Sequence, residues 1–164
     1  MPIGNRRAAA LGWLAAILIF AADQASKYWV LYGIDLPARR QIVLAPVLNL
    51  TFVQNRGVTF GLLGGSGVGA SLLAVAAFAV VIGLLVWMHR TPSRWTAIAL
   101  GAVAGGASGN ILDRLRHGFV VDFIQAHIGV WSWYVFNVGD AAIVCGVIAL
   151  VLESQFARRP DKTP

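Results

Sequence analysis

Four apolar stretches, each near the length of a bilayer crossing, constrain this chain more than any other feature. They run over about residues 8–31, 68–88, 95–112 and 138–155. A helix rises 1.5 Å per residue, so about 20 apolar residues cross the hydrocarbon layer. No water is available there to backbone polar groups, so continuous apolar runs of this length span as helices. The charge content agrees. Only 12% of the residues are charged, about half of what a soluble globule carries. Mean hydropathy is +0.72. The expected fold is mainly α and integral to the membrane. It has four transmembrane helices, a small extracytoplasmic β-sheet and a short outer helical or loop segment. Residues 1–164 read as a single membrane domain, with outer segments at about 32–67 and 113–137.

The first stretch begins like a signal peptide, with Arg6 and Arg7, an apolar core, and small residues at Ala21 and Ala22. Three more apolar stretches follow, and the helical pattern continues past Asp23, so it reads as an uncleaved span. Tyr28, Trp29 and Tyr32 form an interfacial aromatic belt, and Trp131, Trp133 and Tyr134 form another. The second stretch is uncharged scaffold. In the third, Gly101, Gly105 and Gly109 recur every four residues, a small face that admits a close neighbour. Between the first two stretches, Pro37 and Pro46 break helices. From Leu48 the chain alternates, with Leu48, Leu50 and Phe52 on one side and Asn49, Thr51 and Gln54 on the other, a half-buried strand. Asn55-Arg56-Gly57 reads as a turn and Val58-Thr59-Phe60 as a returning strand. The product is a small sheet lying on the membrane.

Net charge is +6, and the basic residues sit at the ends of the stretches, where they suit lipid headgroups. No basic stripe with interleaved aromatics exists, which argues against nucleic-acid binding. Cys145 is the only cysteine. It excludes an internal disulfide and reads as a buried, inert thiol. Four spans put both termini on one side, with seven basic residues there (Arg6, Arg7, Arg90, Arg94, Arg158, Arg159, Lys162) and six on the other (Lys27, Arg39, Arg40, Arg56, Arg114, Arg116). The positive-inside rule then places the termini in the cytoplasm by a narrow margin. Asp23, Asn55, Asn110, Arg114, Asp122 and Asp140 all fall at the opposite, outer face.

That convergence carries the chemistry. Asp122 lies between Val121 and Phe123, and Asp140 opens the last apolar run. Ionisable groups at membrane depth are costly and mark function by default. Two close carboxyls share a proton: one serves as general base on water, and the other polarises a carbonyl and protonates the leaving amine. The plainer readings are a helix N-cap for Asp140 and a loop carboxylate for Asp122. Asp23 and Lys27 share a helix face as an ion pair. Asn137 contacts substrate backbone or caps the last helix. Asn55 and Gly57 make a site or a plain turn. Asn110 and Arg114 share a face, with Asp113 as a nearby counter-charge.

Other protease chemistries fit less well. Gly106-Ala107-Ser108-Gly109 looks like the motif of rhomboid serine proteases. Such a serine needs a histidine base, yet His117 and His127 lie outside the spans and His89 is at the far face. Ser26 and Lys27 are adjacent and point apart. No histidine spacing matches a zinc protease. A non-enzymatic reading also stands, in which Asp23, Asp122 and Asp140 relay protons or ions.

Five motifs in order resemble those of signal peptidase II. They are Asp23-Gln24-Ala25-Ser26-Lys27, Asn55-Arg56-Gly57-Val58-Thr59-Phe60-Gly61, Gly105 to Arg114, Val120-Val121-Asp122-Phe123 and Phe136-Asn137-Val138-Gly139-Asp140. The resemblance covers nearly the full length. It departs conservatively, with Gly139 where the family usually has Ala, Val58-Thr59 for a common Ala-Ala, and Gly61 for a common Ser. It implies an aspartic endopeptidase of the bacterial inner membrane, without cofactor or metal. The substrate would be a prolipoprotein with a diacylglyceryl-modified cysteine, cut just before that cysteine. Asp122 and Asp140 would be catalytic. Asn55, Asn110, Arg114 and Asn137 would surround the substrate, with Asp23, Lys27, Gly57 and Gly106 in support. The resemblance further implies a target of globomycin-type cyclic peptides, and the expected state is a monomer in contact with membrane phospholipid.

Overall fold

The computed structural model describes residues 5–57 and 68–157. Helix α1 runs Arg6–Tyr28 and continues as a π-helical turn, Trp29–Gly33. A one-turn helix α2 (Leu36–Arg39) follows, then strands β1 (Gln41–Ala45) and β2 (Leu48–Asn55). Helix α3 is Val68–Arg90 and α4 is Arg94–His117. Strands β3 (Val120–Ile128) and β4 (Trp131–Ser132) precede α5, Val138–Ala157. Among the described residues, three helices are long and apolar enough to cross a membrane: Arg6–Gly33, Arg94–His117 and Val138–Gln155. The fourth, α3, is 23 residues long, with a shorter apolar part described at Val75–Arg90.

Side-chain caps set the helix starts. Asn5 Oδ1 accepts from Arg7 N–H at 3.0 Å, and Ser93 Oγ accepts from Thr96 N–H at 3.2 Å. Such caps satisfy amides that have no partner within the helix. At the far end of α4, Gly118 takes φ +76° and its N–H reaches Arg114 O, a left-handed stop that glycine adopts at low cost.

Helix α4 is the centre of the bundle, with α1, α3 and α5 around it. The expected glycine face is what admits α1. A Cβ at Gly101 would collide with the backbone of Gly12, one at Gly105 with Ala16, and one at Gly109 with the Asp23 carboxylate. On another side of α4, a Cβ at Gly106 would collide with Gly139 O of α5. The outward faces are apolar, as Leu14, Ile17, Leu18, Phe78, Val80 and Ile148 show. Cys145 lies on that outward face and is exposed, which corrects its expected burial. So small a bundle leaves the outer stripe of each helix to meet lipid.

The sheet has the antiparallel order β1-β2-β3-β4. Strand β2 is where alternation placed it. Its partners are β1 and β3, and the expected returning strand at Val58-Thr59-Phe60 lies outside the described residues. Pro37 does not break a helix. It sits in the first turn of α2, where a missing N–H costs nothing. Pro46 occupies the β1–β2 turn. Segment 113–137 differs most from expectation. Helix α4 continues to His117, and Asp122 lies within a strand rather than a loop. Val53 pairs with Asp122 across β2–β3. Phe136 bridges to Ile124, with Phe136 N–H donating to Ile124 O at 3.0 Å. That bridge lays the residues before α5 along β3. Val30, Leu36, Leu50, Val121 and Phe123 pack together between sheet and helices.

Candidate active site

Three helix ends and the sheet converge at one end of the bundle. Asp122 is the third residue of β3 and is 2% exposed. Both its oxygens accept from amides: Asn55 Nδ2 donates to Oδ2 at 2.9 Å and Asn137 Nδ2 to Oδ1 at 2.7 Å. Asn55 also builds the turn, because its Oδ1 accepts from Gly57 N–H at 2.9 Å. Gly57 has φ +69° there, a region that favours glycine. One side chain therefore makes the turn and reaches Asp122.

Asp140 is the third residue of α5, not its cap. Asn137 is the cap, with its Oδ1 accepting from Asp140 N–H at 2.8 Å. Asp140 Oδ2 accepts in return from Asn137 N–H at 3.2 Å. This is a reciprocal capping box, and it corrects the N-cap reading of Asp140. The other oxygen, Oδ1, accepts from Asn110 Nδ2 at 2.8 Å. Asn137 thus contacts both carboxylates, and its Nδ2 also lies 3.2 Å from Asn110 Oδ1.

Beneath this pair lies an ion cluster. Lys27 Nζ is 2.8 Å from Asp23 and 2.9 Å from Asp113, and donates to Asn110 Oδ1 at 2.9 Å. The expected Asp23–Lys27 pair is present. Asp113 is not the partner expected for Arg114, because its side chain turns toward Lys27. It was missed as a member of this cluster, although its three-residue spacing from Asn110 puts both on one helix face. Gln24 was missed too. Its Nε2 donates to Asp113 Oδ1 at 3.1 Å and to Gly109 O at 3.3 Å. Arg114 is half-buried. Its Nη1 donates to Asn110 O at 3.3 Å, and its Nε has no partner among the described residues.

A cleft of about 740 Å³ opens over Asp122. Asn55, Arg56 and Gly57 line one side, and Trp133 and Tyr134 the other. Burial raises the Asp122 carboxyl to about 6, and the negative charge of Asp140 adds to the rise. Hydrogen bonds from Asn55 and Asn137 and the charge of Lys27 pull the other way. Desolvation wins, so Asp122 holds a proton well above the usual aspartate range.

Ser108 is placed differently. Its Oγ donates to Ala104 O at 2.7 Å, and it lines a separate apolar groove among α1, α3 and α4. The histidines do not approach it: His89 accepts from Trp13 Nε1 at 3.1 Å, His117 lies against Phe119, and His127 is in β3. Ser26 Oγ donates to Asp23 O at 2.8 Å rather than engaging Lys27.

Comparison with known proteins bears on this arrangement. A bacterial membrane enzyme solved by the in meso method at 1.9 Å superposes with a TM-score of 0.74 at 25% identity, covering 87% of this chain and 91% of that one. A second, at 2.3 Å, gives a TM-score of 0.72 at 24% identity, covering 93% and 94%. The fold is that of a membrane enzyme. Residues 15–156 match the family model of signal peptidase (SPase) II. The lipoprotein signal peptidase of Methylorubrum extorquens (strain PA1) is 50% identical over 144 residues, which is 87% of this chain and 84% of that protein. That of Beijerinckia indica is 42% identical over 145 residues, 88% and 87% of the two chains. The chain belongs to the signal peptidase II family. It is an aspartic endopeptidase of the membrane that removes signal peptides from prolipoproteins.

Proposed function

We propose that Asp122 and Asp140 are the catalytic pair of this peptidase. The observation that carries this is Asn137, which bonds both carboxylates, one of which, Asp122, lines an open cleft. Asp122, with its raised pKa, holds the shared proton and presents it to the scissile carbonyl oxygen. Asp140 is the base: it takes a proton from water as the oxygen attacks the carbonyl carbon. The tetrahedral intermediate collapses when the amide nitrogen leaves with a proton from the pair. Asn110 and Asn137 hold Asp140 in place, and Asn55 holds Asp122.

The substrate is a prolipoprotein whose cysteine carries diacylglycerol, cut just before that cysteine. Such a substrate is confined to the membrane plane, which suits a cleft where apolar helices meet an open sheet. Arg114 engages substrate carbonyls or lipid phosphate with donors that have no partner among the described residues. A globomycin-type cyclic peptide competes for the same cleft, and the enzyme acts as a monomer among phospholipids. It sits in the bacterial inner membrane with both termini cytoplasmic and the cleft outside. The basic residues of the short terminal-side segments support this orientation.

The test is cleavage by purified protein in detergent, with no ion gradient. The diacylglyceryl-modified precursor should be cut before its cysteine, and the unmodified precursor should survive. Equal cutting of both would remove the lipid requirement. A requirement for sealed vesicles and an ion gradient would favour the relay reading instead.

A further inference from the structure

The proposed reaction leaves the buried ion cluster unused. Lys27 has three ammonium protons and three acceptors: Asp23 at 2.8 Å, Asp113 at 2.9 Å and Asn110 Oδ1 at 2.9 Å. All four side chains are more than nine-tenths buried. Buried ion pairs are weak sources of stability, because desolvation offsets much of their attraction. The second partners of the two carboxylates point to a different role. Asp23 Oδ1 accepts from the backbone N–H of Gly139 at 2.8 Å, one residue before Asp140. Asp113 Oδ2 accepts from the backbone N–H of Val121 at 3.0 Å, one residue before Asp122. The same device occurs twice, on α5 and on β3. One ammonium draws both carboxylates together, and each carboxylate holds the residue preceding a site aspartate. Neither Asp23 nor Asp113 lines the cleft over Asp122.

We infer that Asp113 is a positioning residue for the reaction and the counterpart of Asp23: through Lys27 the two set the spacing between Asp122 and Asp140. This rests on the assignment of Asp122 and Asp140 as the catalytic pair. Displacing Val121 N–H moves the adjoining Asp122 backbone with it. Misplacing a reacting group by 1 Å costs roughly 100-fold in rate. Asp113→Asn keeps an oxygen for Val121 N–H but loses the pull of Lys27.

The experiment measures kcat and KM on a diacylglyceryl-modified precursor for Asp113→Asn, Asp23→Asn and the double variant, with detergent melting temperatures. We expect kcat to fall about 10- to 100-fold in each single variant, with KM within about twofold. The double variant should lose less than the product of the single losses, because both act through one ammonium. Full kcat in folded Asp113→Asn, with only a lower melting temperature, would overturn the inference. A loss carried by KM would do so as well. If Asp113→Asn does not fold, Gln24→Leu removes the donor shared by Asp113 Oδ1 and Asp23 Oδ2. A several-fold fall in kcat at constant KM is then expected, and unchanged kcat overturns the inference. Asp122→Asn and Asp140→Asn are run alongside. If either retains activity, the pair assignment fails and this inference goes with it. If both are silent and Asp113→Asn keeps its kcat, only the positioning role fails.

Discussion

Asn137 donates its side-chain amide to Asp122 Oδ1 at 2.7 Å, across the junction between β3 and α5. The same residue caps α5 through Asp140 N–H. Local helix chemistry and the site geometry therefore depend on one side chain. Asn137→Ala removes both. We expect kcat to fall roughly 100-fold, in line with the loss of one preorganised donor. The lost cap should cost about 1 kcal/mol of stability. Steady-state kinetics with a thermal melt separates the two effects. A stability loss without a rate loss would reduce Asn137 to a cap.

The raised value of Asp122 makes a signed claim about pH. If Asp122 supplies the proton, activity falls as pH rises through its titration. For the free enzyme, reported by kcat/KM, that fall is expected near 6. Bound substrate excludes more water and favours the neutral form, so the fall in kcat should lie at higher pH. The Asn55 hydrogen bond lowers the Asp122 value. Asn55→Ala should therefore move the alkaline limb to higher pH even as it slows the reaction. The groups facing Asp122 are Asp140 from α5, Lys27 from α1, and Arg114 from α4. A limb that moves to lower pH in Asn55→Ala would contradict the assignment of the proton to Asp122.

The helices are legible in the sequence because an apolar run of bilayer length has one way to satisfy its backbone. The glycine face of α4 is legible for a similar reason: spacing alone puts Gly101, Gly105 and Gly109 on one side. Strand β3 is not legible. Val120 to Ile128 lacks a clean alternation, and the β2 pairing that makes it a strand comes from distant sequence. Asp113 was misread because a carboxylate next to Arg114 looks like its counter-ion. The helix turns adjacent residues apart, so Asp113 faces Lys27 on α1. That partnership depends on how closely α1 and α4 approach, which the glycine face permits but does not spell out. Asn55 shows that two readings of a motif need not compete, since one side chain makes the turn and contacts Asp122.

The glycine face also makes a packing prediction. Gly101→Ala and Gly105→Ala place a methyl group against the α1 backbone and should each lower stability by about 1–3 kcal/mol. Gly83→Ala on α3 meets no atom of the described residues within 4 Å and should be neutral or stabilise by up to about 1 kcal/mol, because alanine favours the helix. Thermal melts in one detergent make the comparison. Equal effects at all three positions would show that the close α1–α4 approach does not govern stability.

Arg114 is expected to act on substrate rather than on the fold. Among the described residues its guanidinium makes one long bond, to Asn110 O at 3.3 Å. Arg114→Ala should fold normally and raise KM about tenfold, the loss of roughly one charge-assisted hydrogen bond. Kinetics unchanged across substrate concentrations would remove Arg114 from the site.

The most direct test of the carboxylate pair compares cleavage of a diacylglyceryl-modified precursor by the parent, Asp122→Asn, Asp140→Asn and Ser108→Ala, with folding checked for each. Both asparagine variants are expected to fold and not cut, while Ser108→Ala cuts at close to the parent rate. Substantial activity in either folded asparagine variant, or complete loss in folded Ser108→Ala, would contradict the pair assignment.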